Sequence, residues 1–150
     1  MFKHILLPTD GSPLSEIAIA KGLAFAKTLG AKATGMHVTP KFHLLTYRSE
    51  ALEESRQQYE IDAKKHADQY LTSLARAAEA AGVPCDTVAV TGDHPYEAII
   101  ATAEDRHCDL IVMASHGRKG LQAVLLGSET NKVLTHTKIP VLVLRPELGG

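Results

Sequence analysis

The chain has no run of apolar residues approaching the roughly 18 that a membrane-spanning helix needs, so an integral membrane protein of helical type is excluded. Cysteine is scarce. Cys85 and Cys108 are the only two, they stand far apart, and neither belongs to a C-x-x-C pair or to a zinc-finger spacing with histidine. A disulfide framework and a zinc module are therefore both excluded, and two isolated thiols point to a reducing compartment. Neither sign of charge is in excess: 16 Lys and Arg stand against 17 Asp and Glu, a net charge of -1. That balance lacks the basic footprint of a general nucleic-acid binder. There is no low-complexity stretch, linker or internal repeat. The opening MFKHILLPTDGS carries one Lys and an apolar run broken early by Pro8 and Asp10, unlike a secretory signal, so a cytoplasmic protein is expected. Two common phosphate-binding patterns are also missing: there is no G-x-x-x-x-G-K-[ST], and no G-x-G-x-x-G follows the first apolar run.

What is present is an alternation. The 150 residues, 45% of them apolar, make one domain able to bury a continuous core, expected to span 1–150. Short apolar runs predict strands at Phe2–Leu7, Ala33–Val38, Cys85–Val90, Asp109–Ala114 and Pro140–Leu144. Between them lie helical patterns. Ser12 and Pro13 suit a helix start, Leu14, Ala18, Gly22, Phe25 and Leu29 recur at steps of 3 and 4, and Gly30 can close the helix. Thr39 to about Glu50 shows no period and reads as a loop. A longer helix carries Tyr59, Ala63, Ala67, Tyr70, Leu74 and Ala78, stopped by Gly82 and Pro84. A third helix is predicted from Tyr96 to about Arg106, with Asp93 or His94 capping it and Pro95 in its first turn, and a fourth from about Glu129 to His136.

Strands separated by helical crossovers predict an α/β fold, a doubly wound five-stranded parallel sheet with helices on both faces. In such sheets a ligand sits at the carboxyl ends of the strands where the winding reverses. Unusual polar residues follow strand one, in Pro8-Thr9-Asp10-Gly11-Ser12, and strand four, in Ser115-His116-Gly117-Arg118. If these strands are neighbours the order is 3-2-1-4-5, with one crevice between them. The loop after strand four holds Gly117, Gly120 and Gly127 and leads into a helix amino terminus, where unpaired N–H groups and the helix dipole favour an anion. The same glycines also suit plain turns and caps, and both readings stand on residue chemistry alone.

At this point the residues resemble the universal stress proteins, in the subgroup that binds ATP. The resemblance runs from KHILLPTDGS through HVTP and GDHPYEAI to DLIVMASHGR, LLGS and IPVLVLRP. It implies a Rossmann-like, adenine nucleotide alpha hydrolase-like fold. The family's nucleotide signature is Gly, two residues, Gly, nine residues, then Gly-Ser or Gly-Thr. Here Gly117, Arg118 to Leu126 and Gly127-Ser128 match it, while Ala114 stands where the first glycine would be and adds a Cβ. By the same resemblance Pro8, Thr9 and Asp10 border the adenosine, Val38 meets the adenine edge and Met113 packs near the sugar and base. His116, Gly117 and Arg118, with Gly127, Ser128, Glu129 and Thr130, would surround the triphosphate and Mg²⁺. Competing structural roles are a turn for Asp10, core for Val38 and Met113, and a helix cap for Ser128.

The resemblance implies an ATP-binding, nucleotide-responsive regulator of stress responses with at most slow hydrolysis, ADP or AMP being alternative ligands and the protein partner unspecified. The alternative is a dimeric interaction module of the same fold without nucleotide. No metal site is expected from the eight histidines, since His37 and His116 near the crevice lack a third ligand. His4, His43, His66, His107 and His136 read as surface or helix-end residues, and the cysteines as small core residues. In the order 3-2-1-4-5, Pro140–Leu144 is an apolar edge strand. Universal stress proteins pair this strand across a two-fold axis, so a homodimer is expected.

Overall fold

The computed structural model describes residues 1–43, 49–117 and 126–146, with the long helix described at side-chain level from Glu53 onward. The elements alternate as expected: β1 His4–Pro8, α1 Pro13–Leu29, β2 Lys32–Thr39, α2 Ser49–Ala81, β3 Cys85–Thr91, α3 Pro95–Asp105, β4 Leu110–Ala114, α4 Ser128–His136 and β5 Val141–Leu144. All strand pairs are parallel and the sheet order is β3-β2-β1-β4-β5. The doubly wound expectation thus holds, with the reversal between β1 and β4.

Alternation along the two central strands builds a core on each face. Ile5, Leu7 and Val112 face Ile19 and Leu23 of α1 and Leu74 of α2. Leu6, Ile111 and Met113 face Ile99 of α3 and Val133 of α4. The first helix starts as its sequence demands: the Ser12 hydroxyl accepts from Ser15 N at 3.2 Å, Pro13 occupies the first turn, and Gly30 ends it at φ 67°.

The element ends depart from the sequence reading for local reasons. Strand β1 begins at His4 and not Phe2, because the Lys3 and His4 N–H groups donate to the Asp109 carboxylate, at 2.9 and 3.0 Å, instead of to a neighbouring strand. His4 itself is a correction: it is buried, 7% exposed, with Nε2 2.7 Å from Thr34 Oγ1. The stretch Thr39 to Glu50 is also not wholly loop, since α2 starts at Ser49, while residues 44–48 lie outside the described residues.

Helix α2 matters most for function. Its 33 residues make it about 50 Å long, against about 26 Å for the eight-residue β2. Its second half packs on the sheet, with Ala67, Leu71, Leu74 and Ala78 buried. Gly35 of β2 permits this approach, since a Cβ there would stand 2.5 Å from Leu74 Cδ2. The first half overhangs the carboxyl ends of the strands and is laced by i,i+4 pairs, Arg56–Glu60 at 3.1 Å and Lys64–Asp68 at 2.9 Å.

Candidate functional site at the strand ends

The turn leaving β1 is built by short polar side chains satisfying their own backbone. Thr9 Oγ1 accepts from Gly11 N at 3.1 Å, and Asp10 Oδ1 accepts from Ser12 N at 2.9 Å, an Asx-type turn. Asp10 is therefore a turn residue that also lines the cleft described below. His37, near the end of β2, donates from Nδ1 to the Thr9 carbonyl at 2.8 Å; a carbonyl only accepts, so this bond fixes the ring tautomer.

On the other side of the reversal, β4 ends at Ala114, and Ser115 continues its pairing through Ser115 N to Leu144 O at 2.9 Å. The chain returns at Gly127, whose N–H donates to Ser115 O at 2.6 Å. The approach is close: a Cβ at Gly127 would stand 3.1 Å from Ser115 O and 3.3 Å from His116 Cα, so any larger residue must push this backbone aside by a few tenths of an ångström. Thr130 then ties the first turn of α4 to the strand, its Oγ1 donating to Ala114 O at 2.9 Å. The cap of α4 is Gly127, not Ser128, and as a glycine it brings no side chain to the first turn. Asp10 joins the two loops, because a Cβ on Gly117 would lie 2.5 Å from Asp10 Oδ2.

Two connected hollows open here. A small one of about 180 Å³ has an apolar floor of Pro8, Met36, Val38, Ile99, Met113 and Ala114. A larger one of about 710 Å³ runs past Asp10 and Gly117 to Gly127 and Ser128. Of the residues expected at a ligand, Pro8, Thr9, Met113, Ala114 and His116 line the small hollow and Gly127 and Ser128 the large one. Asp10, Val38, Gly117, Glu129 and Thr130 line both. Arg118 lies outside the described residues. Met113 belongs to the core and to the small hollow at once.

The far wall of the large hollow was not foreseen. Tyr59, Asp62, Ala63, His66 and Tyr70 of α2 form it. Tyr70 meets His37 edge-on at 5.1 Å between ring centroids and stacks on His66 at 6.1 Å. The helix stripe containing Tyr59 and Ala63 reads in sequence as core, and the available signal was length: a helix about twice as long as the strand it covers must leave half its face over something else. His43, beyond the end of β2, meets Asp93 on the same side, Nε2 to Oδ1 at 2.8 Å, and that histidine bond holds the exposed Asp93 carboxyl below the usual range.

Carboxylates are prominent among the described residues lining the larger hollow. Asp10, Asp62, Asp93 and Glu129 line it, and no Lys or Arg is among its described lining residues. Glu129 has a specific partner: its Oε2 accepts from Tyr96 N at 2.9 Å, at the start of α3, where the cap residue His94 makes no side-chain bond. Among the described residues no group of three or more His, Cys, Asp or Glu is gathered to hold a metal ion. The thiols are inert by environment: burial pushes Cys108 up to about 11 and raises Cys85 as well.

Comparison with known proteins agrees with this geometry. The model of the Universal stress protein family matches residues 1–145. Universal stress protein MJ0577 of Methanocaldococcus jannaschii is 31% identical, covering 97% of this chain and 96% of its own. Its solved structure superposes with a TM-score of 0.83 over 98% of each chain. A universal stress protein in complex with cAMP superposes with a TM-score of 0.69 at 23% identity, over 95% of this chain and 97% of that one. The Archaeoglobus fulgidus universal stress protein in complex with dAMP gives 0.63 at 15% identity, over 95% and 97%.

Proposed function

We propose, from the premise that this chain belongs to the universal stress protein family, that the strand-end cleft binds an adenine nucleotide, ATP foremost, and that occupancy regulates the protein. One observation carries the reading. The amino terminus of α4, whose cap residue is Gly127, opens beside the close Gly127 turn into the same cleft as an apolar slot. A slot with Val38, Met113 and Ala114 in its floor suits a planar base, and helix N–H groups next to it suit phosphate. The complexes of two relatives with cAMP and dAMP support the same ligand class.

The residues present accept such a ligand. Ala114 in the place of the signature glycine carries no backbone strain, since His107 is the only described non-glycine residue with positive φ. Mg²⁺ would arrive on the phosphates themselves. Any hydrolysis is expected to be slow, because phosphate binding alone supplies no group that orients an attacking water. Among the described residues no helix is long and apolar enough to cross a membrane. β5 is an edge of the sheet with Leu142 38% exposed, and the same reading pairs two such edges in a homodimer.

Ligand-dependent unfolding tests the nucleotide reading. A ligand bound only by the native state at a hundredfold excess over its Kd adds about 2.7 kcal/mol, raising the melting temperature of a chain this size by roughly 5–11 °C. ATP, ADP or AMP should produce a saturable rise of this order. No rise with any of the three at millimolar concentration would remove the proposal.

A further inference from the structure

We infer that Glu129 is a charge filter in the cleft, a specificity-determining residue that disfavours each added phosphate charge on an adenine ligand; the inference rests on the nucleotide reading above. The family resemblance places Glu129 around the triphosphate, yet a carboxylate cannot bind phosphate directly. What it binds in this fold is the Tyr96 N–H, at 2.9 Å. The two helices with amino termini at the cleft are thereby made unequal. The start of α3 lacks a side-chain cap from His94 and is satisfied by the Glu129 carboxylate, a protein anion in the position a phosphate would take. The start of α4 has glycine as its cap residue, with the same carboxylate rising from its own first turn between Ser128 and Thr130.

The other described ionisable side chains lining the larger hollow are the carboxylates of Asp10, Asp62 and Asp93, the rings of His37 and His66, and the phenols of Tyr59 and Tyr70. Lys132 is the cation near Glu129, and its Nζ stands 3.8 Å from Oε1, on the other oxygen from the one that holds Tyr96. A phosphate seated at α4 therefore approaches a fixed negative charge in a partly desolvated hollow, where like charges a few ångströms apart repel more strongly than in bulk water. Glu129 lines the small hollow as well as the large one.

The test compares adenosine, AMP and ATP on the full chain and on Glu129→Gln, by calorimetry in EDTA at low and high salt. The Gln amide oxygen still accepts from Tyr96 N, so the α3 start stays capped while the charge is gone. The filter predicts that the ratio of ATP to adenosine affinity rises by on the order of tenfold in the variant, with AMP intermediate. It also predicts that the difference between the two proteins shrinks as salt is added. A purely structural role for Glu129 would move all three ligands alike and independently of salt, and that result would overturn the inference while leaving the nucleotide reading intact. Failure of adenosine, AMP and ATP alike to bind either protein would overturn both.

Discussion

Gly11 sits between the turn after β1 and the Tyr70 ring of the α2 wall, and replacing it by alanine probes both its backbone and that contact at once. Its φ of 78° is left-handed, and a Cβ there would run into the ring of Tyr70. That ring has little freedom to yield, since His37 meets it edge-on and His66 stacks upon it. The backbone component costs about 1 kcal/mol for alanine at positive φ. Forcing a methyl group into a packed aromatic contact adds roughly 2 kcal/mol, the middle of the range for overpacking. Gly11→Ala should therefore destabilise by about 3 kcal/mol, or roughly 6–12 °C in melting temperature for a chain of this size. The decisive assay is a double-mutant cycle by urea denaturation. In a Tyr70→Ala background the collision is gone and only the backbone cost of about 1 kcal/mol should remain, a coupling of about 2 kcal/mol. An equal cost in both backgrounds would refute the contact between the β1 turn and the α2 wall.

Three further outcomes follow from the same structure. Gly127→Val should abolish ATP binding and also lower stability by roughly 1–3 kcal/mol, because its Cβ must push against the Ser115 and His116 backbone; ATP titration and urea melts of the variant measure the two effects, and wild-type affinity would contradict the site. Val143→Lys should weaken the proposed dimer by placing a charge on the β5 edge; sedimentation of the unmodified chain as a monomer at micromolar concentration, or of the variant as a full dimer, would contradict the pairing. Burial, and next the neighbouring Lys32, hold His4 below its ordinary value of 6.5. The folded state thus prefers the neutral ring, and its contribution is fully present above pH 6.5 and is lost as pH falls from there through the folded value. His4→Gln should flatten the stability profile between pH 7.5 and 5.5, and an unchanged slope would show that another group sets it.

The architecture was legible because parallel strands buried on both faces leave unbroken apolar runs, as in Leu110–Ala114, and because Pro8-Thr9-Asp10 and the glycines near Ser128 mark the two strand ends that the winding reversal joins. What was not legible depends on tertiary reach. Tyr59 and Ala63 carry the same period as the core residues Leu74 and Ala78, and only the length of α2 beyond the sheet sends them to a cleft wall instead. Glu129 reads as an ordinary first-turn acid of α4, yet its partner is the Tyr96 N–H of another helix. His4 reads as a surface residue because one polar side chain in an apolar run says nothing of Thr34, which pairs with it from the next strand.

The central claim is that an adenine nucleotide occupies the cleft between the ends of β1 and β4, and an amide-resolved NMR titration of the labelled protein with ATP tests it most directly. The account predicts saturable shifts concentrated at Thr9, Asp10, Val38, Gly117, Gly127 and Ser128, with the opposite ends of the strands, around His4, Thr34 and Asp109, unmoved. Absence of shifts at saturating ATP, or shifts confined to the outer face of α2 or to β3, would contradict it.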